Sequence, residues 1–212
     1  MKQGILGEIL EFLNAKGMEL KQSLGVANIN QYIEMAVNRL IEAHNSFGYD
    51  GSYLDDSYGE IFKYKHHIKN DTLYFVFDID KAISLPKEQP RRFAISEFDD
   101  FSNKNRFIYT KPNNLQNHKP KLEPLITIPF FAVRGKDLLV IDGNHRIAHA
   151  FNSSKSYLDC FIIDPMLVPT ILRGKFESVL YLVQCDIYII EQQFISSDVL
   201  IAQTCLSRHL KT

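Results

Sequence analysis

Cysteine is scarce in this chain, and long apolar runs are missing. The three cysteines, Cys160, Cys185 and Cys205, stand far apart in apolar surroundings. They form no Cys-x-x-Cys pair and no Cys/His cluster, so no metal site is assigned to them. They read as buried thiols in a reducing compartment. No apolar run reaches the length of a membrane span. Glu8 and Glu11 interrupt the apolar core that an N-terminal signal peptide needs. These absences predict a cytoplasmic protein with no membrane partner. A surplus of charge is missing too: 24 Lys and Arg stand against 25 Asp and Glu, a net charge of −1. No global basic field draws in nucleic acid, which speaks against a DNA-coating role but leaves room for a local basic site. Internal repeats and low-complexity tracts are also absent.

What is present is an ordinary globular composition. The 212 residues are 45% hydrophobic and 23% charged. That is long enough for one compact domain with additions. Residues 3–24 carry Ile5, Ile9, Phe12 and Leu13 at helical spacing, with Glu8, Glu11 and Lys16 between them. Gly17 is the expected place for a break or bend. A second helix is expected from about Asn30 to His44, with Ile33, Val37, Leu40 and Ile41 as its apolar stripe. Asn28 or Asn30 can cap it. The two predict a helical hairpin over residues 1–48, as a scaffold decoration or a pairing surface for a second copy. Asn45 to Gly59 reads as a solvated linker.

Ile61–Ile68 and Thr72–Ile79 predict a β-hairpin. His66 and His67 are adjacent on its first strand and face opposite sides, so they do not share a metal. Lys87 to Asn105 is polar, with a short helix expected over Ala94–Phe101. Ile108 to Pro124 is a long Lys/Asn/Pro-rich loop, and loops of that length are often functional lids. Thr127–Val133 and Leu138–Ile141 read as a second hairpin turning at Gly135. A strand is expected over Tyr157–Ile163. Lys175–Phe194 reads as a buried apolar helix, and Ser196 to Asp198 can cap a last helix running to about His209.

The densest polar punctuation falls after Leu138–Ile141. Asp142-Gly143 breaks that strand, Asn144, His145 and Arg146 follow, and Ile147, Ala148 and Ala150 begin a helix. The N–H groups and positive dipole end of a helix N-terminus attract an anion. Gly143 allows close backbone approach. Arg146 can fork onto phosphate or carboxylate, and His145 titrates near neutral pH. A plainer alternative stands beside this one: Asp142 caps the helix and Arg146 only pairs with it. His149, one turn beyond His145, is either a support for the site or an ordinary helix histidine.

Val140–Ala150 (VIDGNHRIAHA) resembles the phosphate-binding motif of the ParB/sulfiredoxin-like superfamily, where a strand ends in a Gly-x-[His/Arg]-Arg turn that opens a helix. Pro124–Val133 and Leu158–Asp164 are similar to the strands flanking that motif. Gln89-Pro90-Arg91-Arg92-Phe93 is similar to the Gln-Pro-Arg box of ParB partition proteins. The resemblance covers residues 120–165 well and 72–105 weakly. It implies an α+β fold, a ParB/sulfiredoxin-like mixed sheet with helices over 60–165. The N-terminal hairpin precedes this core, and a C-terminal helical extension, 166–212, is expected to pack on it.

Departures from the family pattern narrow the activity that the resemblance implies. Asn144 stands where sulfiredoxins carry their reactive cysteine, so sulfinic-acid repair is not expected. ParB has Gly-Glu-Arg-Arg-x-Arg; after the glycine, Asn144, His145 and Ala148 replace its Glu, first Arg and last Arg, and of its charged residues only Arg146 matches here. The residues after 165 are apolar rather than basic, so a ParB-type DNA-binding region is not expected. The kinase-like members, with Asp-Gly-His-x-Arg, are nearest to Asp142–Arg146. The implied function is binding of a nucleotide, ATP or CTP, with phosphoryl transfer or hydrolysis at the turn. Gly143, Asn144, His145 and Arg146 would cradle phosphate, with Arg91 on the distal phosphate. Asp142, His145 and Arg146 would be catalytic, and Asp142 could hold Mg²⁺. The alternative is a non-enzymatic regulatory module that binds nucleotide or nucleic acid in a plasmid or phage setting and dimerises through its helical ends.

Overall fold

A computed structural model describes residues 4–24, 28–47, 59–68, 71–112, 123–131, 136–192 and 204–206. The fold is α+β. The chain divides into two compact units, one of residues 1–57, 63–76 and 172–212, the other of residues 58–62 and 77–171. No described helix is long and apolar enough to cross a membrane.

The first unit is mainly helical. Helix α1 spans Ile5–Leu24 and α2 spans Ile29–Phe47. They pack through Ile9, Leu13 and Leu20 on one side and Ile29, Ile33, Ala36 and Leu40 on the other. Gly17 does not break α1. A Cβ there would lie 2.8 Å from Ile33 Cγ1, so the glycine brings the two helices close. Its propensity cost of about 1 kcal/mol is offset by that contact. Helix α6, Lys175–Glu191, packs on α2 and buries Phe176, Leu180, Leu182, Val183 and Ile187. Strands β1, Ile61–Ile68, and β2, Asp71–Asp78, pair as a two-stranded sheet. The alternation of β1 puts Lys63, Lys65 and His67 outward, while His66 meets Phe75 on the other face.

The second unit holds a five-stranded mixed sheet. Its strands are β3 (Arg91–Ala94), β4 (Phe107–Ile108), β5 (Leu125–Pro129), β6 (Leu138–Asp142) and β7 (Tyr157–Ile162). Their order is β3-β7-β5-β6-β4. β5 runs antiparallel to β6 and parallel to β7, and the edge strands β3 and β4 pair antiparallel with β7 and parallel with β6. Helix α4, Asn144–Phe151, lays Ile147 and Ala150 on one face against Phe93, Leu125, Val140, Leu158 and Cys160. Short helices α3, Ile79–Ser84, and α5, Val168–Ile171, pack on each other.

Two local expectations change. The helix expected over Ala94–Phe101 is a single 3₁₀ turn, Ile95–Glu97. The Glu97 carboxylate accepts from Ala94 N at 3.0 Å, and Asp99 accepts from Phe101 N at 3.0 Å, so side chains close two turns where helix would continue. The chain turns there because Phe98 stacks on Phe107 at 3.9 Å. Arg91–Ala94 is an edge strand rather than plain polar surface. The Asn45–Gly59 linker, the Gly135 turn, the Ile108–Pro124 loop and the last helix lie largely outside the described residues.

Candidate functional site

Strand β6 ends at Asp142 and α4 begins at Asn144, which leaves Gly143 to make the whole turn. Gly143 is the N-cap residue, at φ 103°, ψ 16°. That left-handed conformation favours glycine. A Cβ there would also lie 2.4 Å from Leu125 Cδ2. Glycine is therefore required twice, once by conformation and once by space.

The polar side chains around the turn hold the chain together. Asp142 does not cap α4, which has no side-chain cap bond. Its carboxylate accepts from Arg146 Nη2 at 2.6 Å. Arg146 Nη1 donates to the carbonyls of Glu123 at 2.6 Å and Pro124 at 2.8 Å. The Arg146 side chain is 10% exposed. Asn144 Oδ1 accepts from Thr110 N at 2.9 Å. Asn144 and Arg146 thereby bind the two flanks of the Ile108–Pro124 loop, whose residues 113–122 lie outside the described set. The Arg146 and Ile147 amides donate to the Gly143 carbonyl at 2.9 and 3.2 Å. The amides of Asn144 and His145 therefore precede the first intrahelical bond, where a helix offers N–H groups outward. His145 and His149 are half-buried.

Arg91 lies at the start of β3, exposed, with Nη2 3.8 Å from the Glu88 carboxylate. Alternation puts it on the face of Phe93, the face α4 covers. Its partner across the pair is Cys160, which in turn faces Leu125. Arg91 and the turn thus share a sheet face and a sheet end. They stand three strand spacings apart, about 14 Å, too far for one phosphate. A pocket of about 480 Å³ is lined by Ala94, Ser96, Glu97, Lys104 and Arg106 among others. None of residues 142–146 lines it.

Burial pushes the Cys160 thiol up to about 12, so it is no nucleophile at neutral pH. Among the described residues no group of three or more His, Cys, Asp or Glu could hold a metal ion. The Asp142 carboxylate, a candidate for Mg²⁺, already faces the Arg146 guanidinium.

The partners Thr110, Glu123 and Pro124 were not expected from the sequence. Two of the three contacts use main-chain carbonyls and the third a main-chain amide, which no side-chain pattern reveals. A second polar cluster lies in the first unit. Buried Asp186 of α6 accepts from Tyr32 Oη at 3.1 Å, Cys205 N at 2.5 Å and Leu206 N at 3.1 Å. Burial pushes its carboxyl up to about 6 against the pull of those donors, and pushes Glu177 up to about 7. An acid inside an apolar stretch, Cys185-Asp186-Ile187, was the available signal.

No protein-family model, curated protein or solved structure matches this chain.

Proposed function

We propose that this chain is a ParB/sulfiredoxin-like protein that holds the phosphate end of a nucleotide at the N-terminus of α4. The observation that carries the reading is the turn itself. A left-handed Gly143 at the end of a central strand opens a helix whose first amides precede any intrahelical bond. Backbone N–H groups so arranged suit a phosphate, with the helix dipole behind them. In this reading Gly143, Asn144 and His145 cradle the phosphate with main-chain atoms. Arg146 supports the cradle from beneath, and its guanidinium supplies positive charge without reaching into solvent. Arg91 meets the far end of a ligand as long as a nucleoside triphosphate, ATP or CTP.

The pairing of Asp142 with Arg146 favours binding over turnover. Phosphoryl transfer calls for a cation that follows the moving charge and a carboxylate open to Mg²⁺. Here each already occupies the other. The regulatory module is therefore the second reading, preferred to the enzyme on this observation. Nucleic acid is not the favoured ligand, because the net charge is −1.

Thermal unfolding with ATP, ADP, CTP and GTP, with and without Mg²⁺, tests the reading. A ligand of the folded state raises the melting temperature by mass action. One nucleotide is expected to raise it, with no release of inorganic phosphate. Phosphate release would restore the enzyme, and no shift with any nucleotide at millimolar concentration would remove nucleotide binding altogether.

A further inference from the structure

Asp186 stands on α6 within an apolar stretch and is fully buried. One of its carboxylate oxygens accepts from Cys205 N at 2.5 Å. The other accepts from Leu206 N and from Tyr32 Oη, each at 3.1 Å. Tyr32 belongs to α2, while Cys205 and Leu206 lie 19 and 20 residues beyond the carboxylate in the chain. Residues 205 and 206 are helical, and the first amides of a helix have no partner within it. A carboxylate suits such amides, because it accepts from both and faces the positive end of the helix. Here another helix supplies that carboxylate. Thr204, Cys205 and Leu206 are buried with it. One ionisable group thus joins residues 204–206 to α2 and α6.

The titratable groups facing Asp186 are the Tyr32 phenol from α2, the Cys205 thiol from the segment and the Cys185 thiol beside it on α6. None of the three can carry positive charge. The ionised carboxylate is therefore opposed by burial and supported by hydrogen-bond donors rather than by a cation. When protonated, the carboxyl can donate to Tyr32 Oη and still accept from the amides. Enclosure favours the neutral acid and exposure to water favours the ion.

We infer that Asp186 and residues 204–206 form a pH-responsive latch, closed on α2 and α6 while the carboxyl is protonated and opened more readily as it ionises. Departure of the segment removes the two amide donors and lets water reach the carboxylate. Burial pushes the carboxyl of the closed state up from 3.8 to about 6. A group raised in the closed state binds its proton more tightly there. Closure is then strongest at low pH and weakens as pH rises through that value. The latch lies in the first unit and does not depend on the phosphate reading.

The test is amide hydrogen exchange of the full chain, followed residue by residue by NMR from about pH 4.5 to about pH 7.5. Exchange corrected for the intrinsic rate at each pH gives an opening constant. At Cys205 and Leu206 it is expected to rise at least about tenfold over that range. It should also exceed the constant at Leu182 and Val183 within α6. In Asp186→Asn the constant at Cys205 and Leu206 should not change with pH. In Glu177→Gln, which removes the other raised carboxyl of α6, the rise should persist. A constant equal to that of α6 at every pH would mean that the segment leaves only on global unfolding, and would overturn the inference. A wild-type constant that is flat or falls with rising pH overturns it too, as does a rise that survives in Asp186→Asn. The wild-type series decides without any variant, should Asp186→Asn fail to fold.

Discussion

Gly143 is the residue on which the turn depends. Replacing it with alanine forces a side chain into φ 103° and against Leu125. The left-handed conformation costs about 1–2 kcal/mol and the overlap about 1–3 kcal/mol. Gly143→Ala is expected to lower unfolding free energy by about 2–5 kcal/mol in urea denaturation. A loss under about 0.5 kcal/mol, the scale of an ordinary surface change, would mean the turn relaxes freely. Arg146 is the second such residue. Arg146→Ala leaves Asp142 and two carbonyls without their donor, a loss of about 1–3 kcal/mol. Lysine cannot restore the fork, so Arg146→Lys should recover little. A double-mutant cycle with Asp142→Asn should be non-additive, because the two side chains are direct partners. Additive losses would place the stability of the turn elsewhere.

Among the elements, α6 carries a pH dependence of definite sign. Glu177 rises from 4.5 to about 7 and Asp186 from 3.8 to about 6, both through burial. A carboxyl raised in the folded state binds protons more tightly there than when unfolded. Its contribution is complete below the unfolded value and is lost as pH rises through the folded one. Melting temperature should therefore fall between about pH 4.5 and pH 7, and the fall should shrink in Asp186→Asn. A melting temperature that climbs over that window contradicts the assignment. Asp100 and Asp159 are lowered. For Asp100 the largest single influence, burial, raises the group, but bonds to Lys111 and Lys136 together outweigh it. Asp159 is lowered by the Arg92 bond. Their small, solvent-screened contributions fade only below about pH 4.

The elements also show what a sequence displays and what it hides. Helices α1, α2 and α6 were legible because their apolar periodicity is long and local. Strands β5 and β6 were legible as apolar runs with β-branched members, and β7 as a short, mostly apolar run ended by Asp164-Pro165. β3 and β4 were not, since a four-residue edge with one buried side chain, and a two-residue strand, carry no period to read. The turn at 142–146 was legible because glycine and four polar residues interrupt two apolar segments. Its partners were hidden, because Arg146 binds carbonyls 23 and 22 residues away and the fold alone brings them together. The inward direction of that arginine could not be read from its neighbours in the chain.

At the scale of the whole molecule, the charges nearly cancel: 24 positive side chains against 25 negative. Non-specific affinity for duplex DNA rests on phosphate neutralisation and falls steeply with salt. No retardation of a random duplex is expected at about 0.15 M salt. Retardation there would point to a concentrated basic surface and revive the nucleic-acid reading. The proposed function places ligand binding instead at one corner of the second unit, where β6 ends and α4 begins.

The most direct measurement follows the amide resonances of ¹⁵N-labelled protein during titration with ATP and with CTP. Phosphate held by main-chain donors moves the resonances of those donors first. The account predicts the largest shifts at Gly143, Asn144 and His145, saturating with one ligand, and a smaller response of the Arg91 side chain. Saturable shifts confined to other residues, or none at millimolar nucleotide, would contradict it.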